Sequence, residues 1–315
     1  MTESVISAKK ARGAVRGGAA YISRLIRLFI ADPEGRVSSF YELNDRQITG
    51  ASTYREVTGV KSLYVNYGYW APGCADNDEA MIALADVLAD AAGIAEGERV
   101  LDVGFGYGEQ DIHWARTRRP AQIVGLNVTP AQVRLAQERV RAQKLTGVLD
   151  LRVGSATAIP FAEESFDRVV ALESALHFNT RQKFFEEAHR VLRPGGVLAT
   201  ADVLPRRAPD GTNRIVEWLD KWARRAVVPS DNWYTIDVYP LRLERAGFTD
   251  VSVRSITDRT IKPRAEFVKE RLAAHQIQRL SWGQRQGVRT LVRSAERSVQ
   301  TRDYILAVAR KPVAG

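Results

Sequence analysis

The chemistry open to this chain is concentrated in a few residues. Gly104, Gly106 and Gly108 stand two apart in the run Asp102-Val103-Gly104-Phe105-Gly106-Tyr107-Gly108, directly after an apolar stretch. Residues without a Cβ let the chain turn sharply and let a ligand touch main-chain atoms. The run therefore predicts a backbone cradle for a cofactor. A dinucleotide fold would want glycine where Glu109 stands, and no Gly-Lys-Ser/Thr follows for a phosphate loop. Four histidines are available. His113 and His189 fall inside expected helices and His275 lies far along the chain. His177 follows an expected strand, at the carboxyl end where ligands collect. It is either a general base or a satisfied structural histidine. Glu173, at the end of the same strand, is a second candidate base.

These residues need a scaffold, and the hydrophobic rhythm supplies one. Residues 77–94 read as an amphipathic helix closed by Gly93 and Gly97. Strands are expected at 99–103, 122–128, about 149–154, 166–173 and 195–203, with helices between them. Thr129 and Pro130 mark the N-cap and first position of one helix. Two further strands are read near 250–256 and 303–311. Strand–helix alternation implies a parallel sheet covered on both faces. The expected fold is α/β, a doubly wound, mostly parallel seven-stranded sheet. After Pro205 the rhythm breaks into a stretch rich in Trp and Tyr. Trp218, Trp222, Trp233, Tyr234 and Tyr239 either line an apolar acceptor pocket or pack as ordinary core. Residues 19–30 carry apolar positions at helical spacing with arginines between them. They read as a cover helix or as a membrane-surface or substrate-entrance helix.

The Asp-x-Gly-x-Gly-x-Gly run resembles motif I of the class I S-adenosylmethionine-dependent methyltransferases, whose fold is a Rossmann-like version of this sheet. The stretch 154–178 is similar to that superfamily's Gly-Asp-Ala…Pro-Phe…Phe-Asp-x-Val segment. The stretch 190–196 is similar to its turn before the fifth strand. The segment 124–133 resembles the version found in cyclopropane fatty acid synthases, tocopherol methyltransferases and sugar or polyketide O-methyltransferases. The resemblance implies S-adenosyl-L-methionine as cofactor. Asp102 and the Gly104 backbone would hold its ammonium end, and Gly106 and Gly108 would also bind the cofactor. Asn127 and Gln132 would serve the ribose, and Ser155 and Ala156 the adenine. Upstream, Asn66-Tyr67-Gly68-Tyr69-Trp70 resembles the His-x-Gly-Tyr-Trp box of small-molecule methyltransferases. It makes Tyr64 and Tyr69 candidates at the cofactor, where aromatic faces suit a sulfonium. In the sugar O-methyltransferases two adjacent histidines stand where this chain has Leu176 and His177. Asp202 matches the acid that orients the base there.

The parts then read as an N-terminal helical cap with the aromatic box (1–75), a core cofactor-binding part (76–204), an α-helical lid insertion (205–240) and the C-terminal part of the same domain (241–315). The reaction expected is O-methylation of a natural-product hydroxyl on a small apolar metabolite. Alternatives in the class are C-methylation of a prenyl or aromatic acceptor and methyl esterification of a peptide or fatty carboxylate. A non-methylating use of the fold is a further alternative. The formal charge of +9, from 46 Lys+Arg against 37 Asp+Glu, raises RNA binding as a rival. No run of five basic residues supports it. One cysteine, Cys74, excludes internal disulfides and fits a reducing, cytoplasmic setting. No apolar run reaches the ~18 residues of a membrane span, the N-terminus lacks a signal-peptide core, and no metal is expected. A homodimer is left open.

Overall fold

Apolar runs bounded by glycine and proline become the strands of the computed structural model. It describes residues 30–49, 58–206, 227–274 and 296–313, together with Arg55 and Arg293. The strands are β1 (Arg99–Val103), β2 (Gln122–Asn127), β3 (Leu149–Val153), β4 (Phe166–Leu172), β5 (Leu192–Pro205), β6 (Thr249–Ser255) and β7 (Arg302–Arg310). They form one sheet in the order β3-β2-β1-β4-β5-β7-β6. β1 pairs in parallel with both β2 and β4, so the chain leaves β1 in one direction and returns on its other side. That switch opens a crevice beyond the carboxyl ends of β1 and β4. β7 runs antiparallel between β5 and β6. β5 starts at Leu192, earlier than expected, because Phe166 pairs with Leu192 before the register shifts around the glycine turn.

The helices are α1 (Pro33–Thr49), α2 (Asn77–Ala92), α3 (Glu109–Thr117), α4 (Pro130–Ala142), α5 (Arg181–Val191), α6 (Tyr239–Arg245) and α7 (Ile261–Ala274). α2 begins where the Asp76 side chain accepts the Glu79 N–H, and ends at Gly93 in the left-handed conformation. Its Leu84 and Leu88 are fully buried, each stabilising by roughly 1.5–3 kcal/mol. α4 has Thr129 at its N-cap as expected, but the Thr129 side chain makes no capping bond. Pro130 sets its first turn instead. One core cluster joins α2, α3 and α4 to the sheet, and a second joins α5 and α6 to the opposite face. Within 205–240, residues 207–226 lie outside the described residues, as does most of 19–30. Downstream of residue 226 the chain makes a short turn at Ser230–Asn232 and then enters α6.

Candidate active site

The glycine run crosses from β1 to α3 at the switch. The Gly104 N–H donates to the Leu126 carbonyl at 2.7 Å. A Cβ on Gly104 would sit 2.2 Å from that of Ser174, whose hydroxyl donates to the Val103 carbonyl at 2.6 Å. Nothing larger than glycine fits there. Gly106 has φ +58, and a Cβ added to it would meet no protein atom. Its open side is a cavity lined by the loop, by Asn127 and Gln132 at the β2 end, and by Gly154 and Ala156 after β3. Asn127 Nδ2 donates to the Gly106 carbonyl at 3.1 Å and to Gln132 Oε1 at 2.9 Å. Its Oδ1 receives the Thr129 N–H at 3.2 Å. α1 roofs this cradle with Glu34, Val37 and Tyr41. The roof is fastened at one end by the Ser155 hydroxyl on Glu34 and at the other by the Tyr107 hydroxyl on Asp45, at 2.8 Å.

A second cavity of about 530 Å³ adjoins the first, a size suited to a drug-like molecule. Apolar side chains such as Phe40, Tyr64, Met81, Val203 and Trp233 line it, with Arg302 among the polar ones. Tyr41, Val65, Asn66, Glu173 and His177 line both cavities and so form the junction. The Nδ1 of His177 lies 2.7 Å from the Val227 carbonyl, which can only accept. Nδ1 therefore carries the hydrogen and Nε2 keeps its lone pair. Nε2 receives the Tyr41 hydroxyl at 3.2 Å. Burial pushes the His177 imidazole below its ordinary value of 6.5, so it is neutral at neutral pH. Burial likewise pushes the Tyr41 phenol well up, with the nearby Glu173 adding to it. Glu173 Oε1 accepts the Tyr67 N–H at 2.5 Å and the Tyr304 hydroxyl at 2.7 Å. Burial outweighs these bonds and raises its carboxyl to about 7.

A methyltransferase-domain family matches residues 101–200. Over 290 residues the chain is 39% identical to erythromycin 3''-O-methyltransferase of Saccharopolyspora erythraea, spanning 89% of this chain and 91% of that protein. The chain is a class I S-adenosylmethionine-dependent methyltransferase. It is also 31% identical over 196 residues to 27-O-demethylrifamycin SV methyltransferase of Amycolatopsis mediterranei, across 62% of this chain and 70% of that one. Among solved structures, the cyclase SpnF superposes with a TM-score of 0.68 at 27% identity, covering 88% of this chain and 96% of that one.

This methyltransferase uses S-adenosyl-L-methionine to methylate a small molecule. Its cradle fits that cofactor. The free side of Gly106 faces the cavity, and the amides of Asn127 and Gln132 stand at its β2 end. Gly104, Gly106, Asn127, Gln132 and Ala156 line the cradle as expected. Five other candidates do not. Gly108 caps α3. The Ser155 hydroxyl turns away to Glu34 while Gly154 and Ala156 face the cavity. Tyr69 packs against the α2 core, its N–H donating to the Ala80 carbonyl at 2.7 Å. Tyr64 lines the second cavity, leaving Leu63, Val65 and Asn66 at the first. Asp102 also lies behind the loop, fully buried, where its Oδ2 accepts from Gln110 Nε2 at 3.0 Å.

The expected His177–Asp202 hydrogen bond does not form. Asp202 Oδ2 instead takes Nε of Arg181 at 2.7 Å, and both side chains are buried. Arg181 also donates to the carbonyls of Asn232 and Val203 at 2.5 and 3.0 Å. A full positive charge brought into the core needs the carboxylate more than a neutral imidazole does. Asn232 and Arg181 thereby pin the segment after residue 226 to the start of α5. Trp233 lines the second cavity. Tyr234 does not, and lies over the Arg181 guanidinium at 5.2 Å. Tyr239 is in the core, its hydroxyl 2.8 Å from that of Thr200. Trp218 and Trp222 lie outside the described residues. Tyr41, Gln110 and Arg181 were not singled out by sequence reasoning. Glu34, Val37, Tyr41 and Asn44, spaced three and four apart, form a single helical stripe that does carry a signal. No helix among the described residues is long and apolar enough to cross a membrane.

Proposed function

We propose that this enzyme O-methylates a hydroxyl of a bulky, largely apolar natural product, with His177 as general base. The carrying observation is the Nε2 lone pair of His177 at the junction of the two cavities. Two relatives whose names give oxygen of an antibiotic as the methylated atom support the reading. Gly104, Gly106, Asn127, Gln132 and Ala156 would hold the cofactor. S-adenosylmethionine supplies, when bound, a methyl group on a positively charged sulfur. The apolar lining of the second cavity holds the acceptor and excludes water. The acceptor hydroxyl takes the place now filled by the Tyr41 hydroxyl and yields its proton to Nε2 of His177. The Val227 carbonyl keeps Nδ1 protonated throughout and supports the imidazolium that forms. Residues 1–75 act as cap, 76–204 as cofactor core, 205–240 as lid and 241–315 as the rest of the same domain. The half-buried, unbridged Cys74 suits a cytoplasmic setting.

A panel of hydroxylated macrolides and glycosylated polyketides, offered with radiolabelled cofactor, tests the reading. His177→Ala should lower kcat by about 10²–10⁴ while S-adenosylhomocysteine binds unchanged. Glu173 at the junction favours a second reading, C-methylation, in which a carboxylate faces a carbocation. Full turnover of His177→Ala together with a large loss of turnover in Glu173→Gln would select the second reading and exclude the first.

A further inference from the structure

Behind the glycine run lie two carboxyl groups with nothing to oppose them. Asp102 ends β1 and Asp111 sits in the first turn of α3, and both are fully buried. Asp102 Oδ1 and both oxygens of Asp111 have no donor from any other described side chain or from the backbone. The two groups lie within hydrogen-bonding reach of each other. As two carboxylates in contact, out of water, they would repel. A single proton on Asp111 removes the repulsion and gives Asp102 Oδ1 its missing donor.

The other oxygen of Asp102 has a second task. Gln110 Nε2 donates to Asp102 Oδ2 at 3.0 Å and to the Phe105 carbonyl at 3.3 Å, which uses both amide hydrogens. The Gln110 amide cannot flip without losing both bonds. Its Oε1 accepts no bond from the described residues, and Gln110 lines the cradle. An amide oxygen held in this way is a fixed acceptor for a cationic donor. We infer that Asp102 and Asp111 share one proton and that this pair aims the Gln110 amide oxygen at the cofactor's ammonium group.

This assignment rests on the cradle being the cofactor site. It makes Gln110 the contact, and Asp102 and Asp111 positioning residues. Burial supports the protonated state, since it pushes both carboxyls up, Asp111 further because Asp102 faces it.

The test is calorimetry on the full chain with two probes, S-adenosylhomocysteine and 5′-methylthioadenosine, the second lacking the amino-acid end. Gln110→Met should weaken S-adenosylhomocysteine by about tenfold or more, the value of one hydrogen bond to a charged group. It should leave 5′-methylthioadenosine unchanged. Asp111→Leu should do the same, and Asp111→Asn, which keeps a donor toward Asp102, should restore affinity. Equal weakening of both probes would mean general damage to the loop and would overturn the inference. So would wild-type affinity in Gln110→Met. If Asp111→Leu fails to fold, Gln110→Met and Asp111→Asn still decide, because an Asp111→Asn as weak as Gln110→Met refutes the shared proton. A wild-type chain that binds neither probe overturns the cofactor reading itself, and this inference with it.

Discussion

The two cavities share a wall but are built differently. Beneath its α1 roof and apart from the shared junction, the cradle is made by short pieces of chain: the loop 103–107, the β2 end at 126–132 and the turn at 154–156. The second cavity gathers residues from α1, the loop at 60–67, the turn after β4 at 173–177, β5, the segment 227–233 and β7. The cradle is specified by main-chain shape, where one Cβ decides the outcome. The second cavity is specified by side chains that meet across long sequence separations, and away from the shared junction it can be re-cut without disturbing the cradle.

The sharpest way to break this contrast is Gly104→Val. Its added atoms overlap Ser174 at a φ of +87, and the expected cost is about 3 kcal/mol or more, read by urea unfolding. Gly106→Ala meets no protein atom and bears only the strain of a φ of +58, so it should cost less stability than Gly104→Val, yet weaken S-adenosylhomocysteine binding. If both variants bind alike, the distinction between a packing glycine and a ligand-facing glycine is lost.

Next in size comes Arg181→Met, which leaves Asp202 buried without its partner. Stability should drop by about 3–5 kcal/mol, and Arg181→Met with Asp202→Leu should recover most of it. An unaltered melting temperature in the single variant would refute the structural role assigned to this pair.

Acidity gives a smaller effect with opposed signs in the two groups at the junction. His177 binds its proton more weakly folded than unfolded. Its protonation therefore opposes folding, and its contribution to stability is lost as pH falls below about 6.5. The acid limb of kcat/KM should have its midpoint below that value. Glu173 is raised from 4.5 to about 7, so its contribution is complete at low pH and fades as pH climbs from 4.5 through 7. A pH–rate profile whose acid midpoint lies above 6.5 would contradict the neutral, buried imidazole. Smallest is Tyr41→Phe, which removes one hydrogen bond worth about 1 kcal/mol. It should change kcat/KM by about fivefold and leave 5′-methylthioadenosine affinity intact.

The same contrast explains what could be read in advance. The cradle was legible because glycine spacing after an apolar run is a local pattern, and Asn127 and Gln132 lie in a single strand-to-helix passage. His177 was legible because a strand's carboxyl end is a known place for ligands. Tyr41 meets His177 across 136 positions, and no local pattern records that meeting. Asp202 was read at a strand end, but β5 runs on to Pro205 with Asp202 paired to Ile305 inside it, and its partner was not foreseen. Arg181 stands at the start of a helix, where arginine is usually solvated, and only the fold shows that it turns inward. Aromatic richness after Pro205 did not reveal direction. Trp233 faces the cavity, whereas Tyr239, six residues on, is buried in the core.

The placement of β7 between β5 and β6 imposes an order on biogenesis. Five parallel strands can associate while the chain is still being synthesised, but β6 has no strand to pair with until the final one emerges and threads in beside it. Arg302 arrives on that same strand, so a nascent polypeptide completes the cradle first and the wall of the second cavity last.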